Sequence, residues 1–187
     1  MLILGIDAGF THMGVVVVDW PAKRIVYKDT MQTKKSAGKR GLRVADDDAE
    51  RCQYLVRALL AVLRDWQPAG AVVELPSGGS QSARAHRAMG MSTAIVAAVL
   101  EMGGIPTEWV TPMAVKKETT GHVHASKQDV QSAVSTLFTW PDVRTPATVF
   151  EHQADAAAAV WAARHGVLVR MLESQTRPPA PMAKAGG

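Results

Sequence analysis

The chain opens on a nearly unbroken apolar run, Leu2-Ile3-Leu4-Gly5-Ile6, closed by Asp7 and followed by Ala8-Gly9. Such a run reads as a strand covered on both faces. Two further strand patterns follow, Gly14-Val15-Val16-Val17-Val18 and Arg24-Ile25-Val26-Tyr27, with Trp20-Pro21-Ala22-Lys23 as the turn between them. Positions 34–43 are polar and glycine-bearing and predict a loop. The period then changes: Cys52, Leu55, Val56, Leu59, Leu60 and Leu63 recur at three- and four-residue spacing, which predicts a helix. Asp46-Asp47-Asp48 suits its N-terminal turn through the helix dipole and reads as solvated charge. Ala71-Val72-Val73-Glu74-Leu75 predicts a short buried strand, broken by Pro76 and then Gly78-Gly79. A helix rich in Ala and Met is expected over 81–102, ended by Gly103-Gly104-Ile105-Pro106, and a strand over 107–110. Thr111-Pro112 opens another helix, since proline suits the first helical position, and helices are expected over 126–138 and 151–171. From Ser174 onward Pro, Ala, Lys and Gly dominate, so the pattern predicts one domain over 1–173 and a disordered tail over 174–187. Strands first, then strands alternating with helices, describe an α/β layer structure whose opening meander is antiparallel and whose later strands are parallel.

At 187 residues the chain is long enough to bury a core. Its 47% hydrophobic and 20% charged residues fit an ordinary globular protein. The net charge of +4 points to a polyanionic partner only weakly. Distribution says more: Lys34, Lys35, Lys39, Arg40 and Arg43 fall within ten residues that hold no acid. The single cysteine, Cys52, sits in an apolar pattern and reads as a core thiol, which suits a reducing cytoplasm. There is no basic leader followed by a long apolar segment, and no stretch approaches the ~18 apolar residues of a membrane span. A cytoplasmic protein without a membrane partner is the expectation.

Asp7 near the end of a buried strand is costly unless a positive group sits beside it. A divalent cation is the usual remedy, and Glu74 and Asp155 stand in similarly apolar settings. Asp155 has His152 three residues earlier and Glu151 four residues earlier, spacings that put all three on one helix face, apart from the stripe Phe150, Ala154, Ala157 and Trp161. Carboxylates on separate rigid elements can hold two hard cations about 3.5–4 Å apart, as phosphodiester hydrolysis requires. On spacing alone the plainer reading stays open: Asp7 caps a turn, Glu74 forms a salt bridge and His152 lies on the surface.

Ile3-Leu4-Gly5-Ile6-Asp7-Ala8-Gly9 resembles the opening of the RuvC Holliday-junction resolvases, members of the ribonuclease H-like superfamily. Val72-Val73-Glu74 is similar to the family's second acidic strand, and Ser82 with Ala94-Ile95-Val96-Ala97-Ala98-Val99 to its central helix. Thr111-Pro112, Val115-Lys116-Lys117, Gly121, Ala125, Lys127 and Val130-Gln131 form the most specific match. His152-Gln153-Ala154-Asp155-Ala156-Ala157 resembles the last-helix motif. The resemblance covers about residues 1–165 in order. It implies a ribonuclease H-like α/β fold with a mixed five-stranded sheet and helices on both faces. It further implies a homodimeric endonuclease that nicks four-way and related branched DNA in pairs, leaving 3′-hydroxyl and 5′-phosphate ends. By position it assigns catalysis and metal ligation to Asp7, Glu74, His152 and Asp155, with Mg²⁺ as the ion and Mn²⁺ as a substitute.

For DNA contacts the candidates are Lys116, Lys117 and Lys127, then Arg84 and Arg87 beyond the Gly-Gly link, then Lys39 and Arg40 in the basic loop; plain surface charge is the alternative for each. His122 and His124 lack the further ligands zinc would want and are expected near DNA backbone or in solvent. His12 and His165 give no usable signal. The chain departs from the family pattern in having no aromatic residue in Leu75-Pro76-Ser77-Gly78-Gly79-Ser80-Gln81, and Ala8 where proline is usual. Those departures suit a divergent, phage-type branch. Two rival readings remain, a non-cleaving junction-binding protein and an actin- or sugar-kinase-like ATP-binding protein; the second needs two domains, more than one such loop in 187 residues supplies.

Overall fold

Alternation along strand β1 (Leu2–Asp7) decides which residues face which layer of the molecule. Ile3 joins one buried cluster while Leu4 and Ile6 join the other, so Gly5 and Asp7 share the face of Ile3. The same phase holds in β2 (His12–Asp19), where Val16 and Val18 lie on the face of Ile3 and Met13, Val15 and Val17 on the opposite one. These two strands and β3 (Arg24–Gln32) make the expected antiparallel meander. Then come α1 (Val44–Trp66), β4 (Gly70–Glu74), α2 (Ala83–Met102), β5 (Thr107–Val110), α3 (Pro112–Thr120), α4 (Lys127–Leu137), α5 (Ala147–Ala162) and α6 (Val167–Thr176). The computed structural model describes residues 1–34, 43–76 and 82–176; Lys35, Lys39 and Arg40 lie outside them.

The sheet has five strands in the order β3-β2-β1-β4-β5, with β4 parallel to β1 and β5 parallel to β4. Helices α1 and α2 cover one face through Leu55, Leu59, Val62, Val96, Val99 and Leu100. Helices α3 to α6 cover the other, with a run of fully buried alanines from α5 at its centre. This is the ribonuclease H-like α/β arrangement. Among the described residues no helix is long and apolar enough to cross a membrane.

Parts of the sequence pattern resolve differently. The helix expected over 151–171 is two helices joined by a turn at 163–166. Its break has a distant cause: the Glu108 carboxylate, on β5, accepts the backbone N–H of Leu168 (2.9 Å) and packs against Gly166, capping α6. Helix α6 continues to Thr176, so 174–176 belong to the folded chain. Asp47 and Asp48 are not solvated: they are 8% and 7% exposed, and Asp48 bridges Arg51 (3.6 Å) and Arg87 (2.6 Å).

Candidate active site

Strand register brings the first two acids together. In the parallel β1–β4 pair Asp7 stands directly beside Glu74, and both end their strands on the face that α5 covers. Helix α5 crosses β1, β2 and β4. It approaches closely because two strand positions lack side chains: a Cβ on Gly5 would collide with the Ala156 carbonyl, and one on Gly14 with the His152 carbonyl. Gly14 is also the antiparallel partner of Asp7. The closest approach of helix to sheet therefore falls beside the first carboxylate and delivers His152 and Asp155 to it.

His152 Nδ1 lies 2.9 Å from Asp7 Oδ2. One ligand atom from each of Asp7, His152 and Asp155 falls within 4.8 Å of the others. Glu74 joins them in a cavity of about 590 Å³, also lined by Lys116, Lys127, His124 and an apolar wall of Leu75, Pro76, Pro112 and Met113. Crowding several carboxylates where water is scarce makes their ionisation costly. Burial, then the charges of Asp155 and Asp7, push the Glu74 carboxyl up to about 8. Burial, then Asp7, push Asp155 up to about 6. The hydrogen bond to Asp7 raises His152, favouring its protonated form. Glu74, Asp155 and His152 thus all lean toward their protonated forms. A hard divalent cation bound by these oxygens would satisfy all of them, so the donor set fits such an ion.

Capping places the lysines. The Thr111 hydroxyl accepts Ala114 N–H (3.3 Å) at the start of α3, which sets Lys116 on the cavity wall. A capping box of Ser126 and Asp129 starts α4 at Lys127. Lys127 pairs with Glu151, which accounts for that additional carboxylate. Lys117 instead lines a neighbouring hollow with Thr120, His122 and Asp129. Arg84 lines a third hollow, of about 470 Å³, that meets the carboxylate cavity at Gly9, Pro76 and His152. Arg87 donates to Asp48, a carboxylate it shares with Arg51, and its side chain stays half exposed.

Three further residues lie at or beside the site: His124, expected from the sequence near DNA backbone or in solvent, and His12 and Arg51, to which the sequence reading gave no role. His124 lines the carboxylate cavity. His12 stacks on His152, the ring centroids 5.1 Å apart and the planes 9° from parallel. Alternation in β2 puts position 12 in phase with Gly14, toward α5, which is the signal that finds it. Arg51, 7% exposed, bonds Thr33 Oγ1 (3.0 Å) and Thr11 Oγ1 (3.3 Å) and lies over the Phe10 ring (4.2 Å), bracing the turn after Asp7.

Acidic residues and a histidine gathered at the ends of the central strands, on a ribonuclease H-like sheet and under its last long helix, define a metal-dependent nuclease. Residues 3–163 match the family described as crossover junction endodeoxyribonuclease RuvC, and the chain belongs to it. It is 31% identical to crossover junction endodeoxyribonuclease RuvC of Geotalea uraniireducens, over 92% of this chain and 94% of that one. The enzyme of the same name from Methylobacillus flagellatus is 27% identical, over 88% and 87%. Among solved structures, Thermus thermophilus RuvC in complex with Holliday junction substrate superposes with a TM-score of 0.71 at 26% identity, covering 91% of this chain and 96% of that one. The yeast mitochondrial Holliday junction resolvase shares the fold, with a TM-score of 0.61 at 14% identity over 92% of this chain and 82% of its own.

Proposed function

We propose that this chain is a divalent-metal-dependent endonuclease that resolves four-way DNA junctions. The observation that carries the reading is the convergence of Asp7, Glu74, His152 and Asp155, from three separated segments, onto one cavity that two lysines border. Pure DNA binding gains nothing from acids gathered where a phosphate must sit, whereas metal-assisted hydrolysis depends on them. Asp7, Glu74 and Asp155 would hold the ion with His152, and a bound divalent cation supplies activation of water and stabilisation of the leaving oxygen. Mg²⁺ is the proposed ion, with Mn²⁺ able to substitute, because oxygen-rich sites accept both.

The chain's own residues do the rest. Lys116 and Lys127 attract the backbone and position the phosphate against the carboxylates. Leu75, Pro76, Pro112 and Met113 give the cavity an apolar side. Water attacks phosphorus and the bond to the 3′ oxygen breaks, leaving a 3′-hydroxyl and a 5′-phosphate. One site cuts one strand, so paired nicks call for two protomers, and a homodimer is proposed. Arg84 and Lys117, in the two flanking hollows, are proposed to follow the strand beyond the cut.

The test is incubation of the protein with labelled four-way junction, linear duplex, flap and fork, in Mg²⁺ or EDTA, with Asp7→Asn alongside. Paired, ligatable nicks in the junction that require metal and vanish in Asp7→Asn are the expected result. Tight binding without cleavage in either Mg²⁺ or Mn²⁺ would overturn the nuclease reading. Equal cutting of every branched form would leave the chemistry and replace the substrate.

A further inference from the structure

The hairpin of β1 and β2 touches His152 in three ways. Asp7 Oδ2 meets its Nδ1 at 2.9 Å. The bare backbone of Gly14 admits its carbonyl. His12 lays its ring nearly flat against the His152 imidazole, at 5.1 Å and 9°. The torsion that turns a histidine ring is soft. A single hydrogen bond holds one ring atom and leaves the ring free to pivot about it. A second ring lying parallel blocks that pivot.

His12 is itself held firmly. A Cβ on Gly9 would collide with the His12 carbonyl, so the turn folds tightly onto the His12 backbone. The residues before it are braced: Thr33 Oγ1 donates to the Phe10 carbonyl (2.7 Å), and Thr33 N–H donates to the Thr11 carbonyl (2.9 Å). Buried Arg51 then ties Thr33 to Thr11. An exposed side chain on so fixed a backbone is a suitable backing plate for a site ligand.

We propose that His12 is a positioning residue: its imidazole, stacked on His152, holds the His152 ring plane in the orientation that the Asp7–His152–Asp155 cluster needs. His12 acts through His152 and makes no claim on the ion or on DNA. The inference rests on the metal-dependent reading of the site, and groups that orient a metal-binding histidine characteristically cost about 10-fold or more in affinity or activity when removed.

The experiment compares wild type, His12→Ala and His12→Phe, each checked by thermal melting. Mn²⁺ affinity is measured without DNA by titration calorimetry, and kcat and KM on a labelled four-way junction. His12→Ala is expected to weaken Mn²⁺ binding and lower kcat by about 10-fold each, with KM unchanged. His12→Phe, which keeps a flat ring and loses both nitrogens, should restore both. Wild-type values in His12→Ala would overturn the proposal, as would failure of His12→Phe to rescue. A raised KM at constant kcat would also overturn it, making His12 a DNA contact. If the wild-type protein cuts no junction yet loses Mn²⁺ affinity on His12→Ala, the junction reading fails and this one stands. No Mn²⁺ binding by the wild type would sink both.

Discussion

Replacing Glu74 by Gln should make the metal-free protein more stable at high pH and leave it unchanged at low pH. The carboxyl has an ordinary value of 4.5 and is held at about 8 in the fold, first by burial and then by Asp155 and Asp7. Its folded value lies above its unfolded one. Its favourable contribution is therefore complete below about pH 4.5 and disappears as the pH rises through 8. Asp155, raised from 3.8 to about 6, loses its share over a lower window. Converted at about 1.4 kcal/mol per pH unit, the Glu74 rise corresponds to at most about 5 kcal/mol at pH 9. Partial access to water, repulsion shared with Asp155 and the new amide's need for partners reduce the net gain to about 2 kcal/mol. With a urea m-value of about 2 kcal/mol per molar, the midpoint of Glu74→Gln in EDTA should exceed wild type by about 1 M at pH 9 and match it at pH 4.5. Adding Mg²⁺ should reverse the order, because the ion stabilises only the intact site. A Glu74→Gln protein that is equally or less stable at pH 9, with an unchanged pH slope, would refute the electrostatic account.

Gly14→Ala should cost about 3 kcal/mol or more in thermal melts and abolish metal-dependent cutting, because the new methyl group pushes α5, and His152 with it, off the sheet. Lys116→Ala and Lys127→Ala should each weaken junction binding and flatten the log–log salt dependence by about one, read by fluorescence anisotropy at several salt concentrations. Arg51→Ala should lower stability by about 3 kcal/mol in urea melts, since it strips a buried partner from Asp48 and unties the Phe10 turn.

What was legible in the sequence follows from how local each cause is. Leu2–Asp7 announces itself through its apolar run, and His152 and Asp155 share a helix face by their spacing alone. The juxtaposition of Asp7 with Glu74 is a matter of register across 67 positions, and only the resemblance to a known family tied them together in advance. The pattern Arg24-Ile25-Val26-Tyr27 stops short of the true β3, which runs on through Lys28-Asp29-Thr30 to Gln32. Those residues stay extended on an edge strand since Thr30 Oγ1 donates to the Val149 carbonyl (3.0 Å) and Lys28 Nζ to Thr145 Oγ1 (2.8 Å). The break near Gly166 depends on Glu108, and the burial of Asp48 on Arg87 from another helix. In each of these places a distant partner overrides what the nearest neighbours suggest. His12 belongs to the same class, since a stack between rings 140 positions apart leaves only a faint trace in strand alternation.

Helix α5 comes after all five strands in chain order, yet it carries His152 and Asp155, two of the four candidate ligands that line the cavity. Translation runs in that same order, and early segments can fold while later ones are still within the ribosome. A nascent chain holding a finished sheet would display Asp7 and Glu74 but neither His152 nor Asp155. It would have no competent centre until the final stretch had emerged and docked into the seat that Gly5 and Gly14 leave for it. Chain order thus makes the docking of the last long helix the step that completes the acid–histidine cluster.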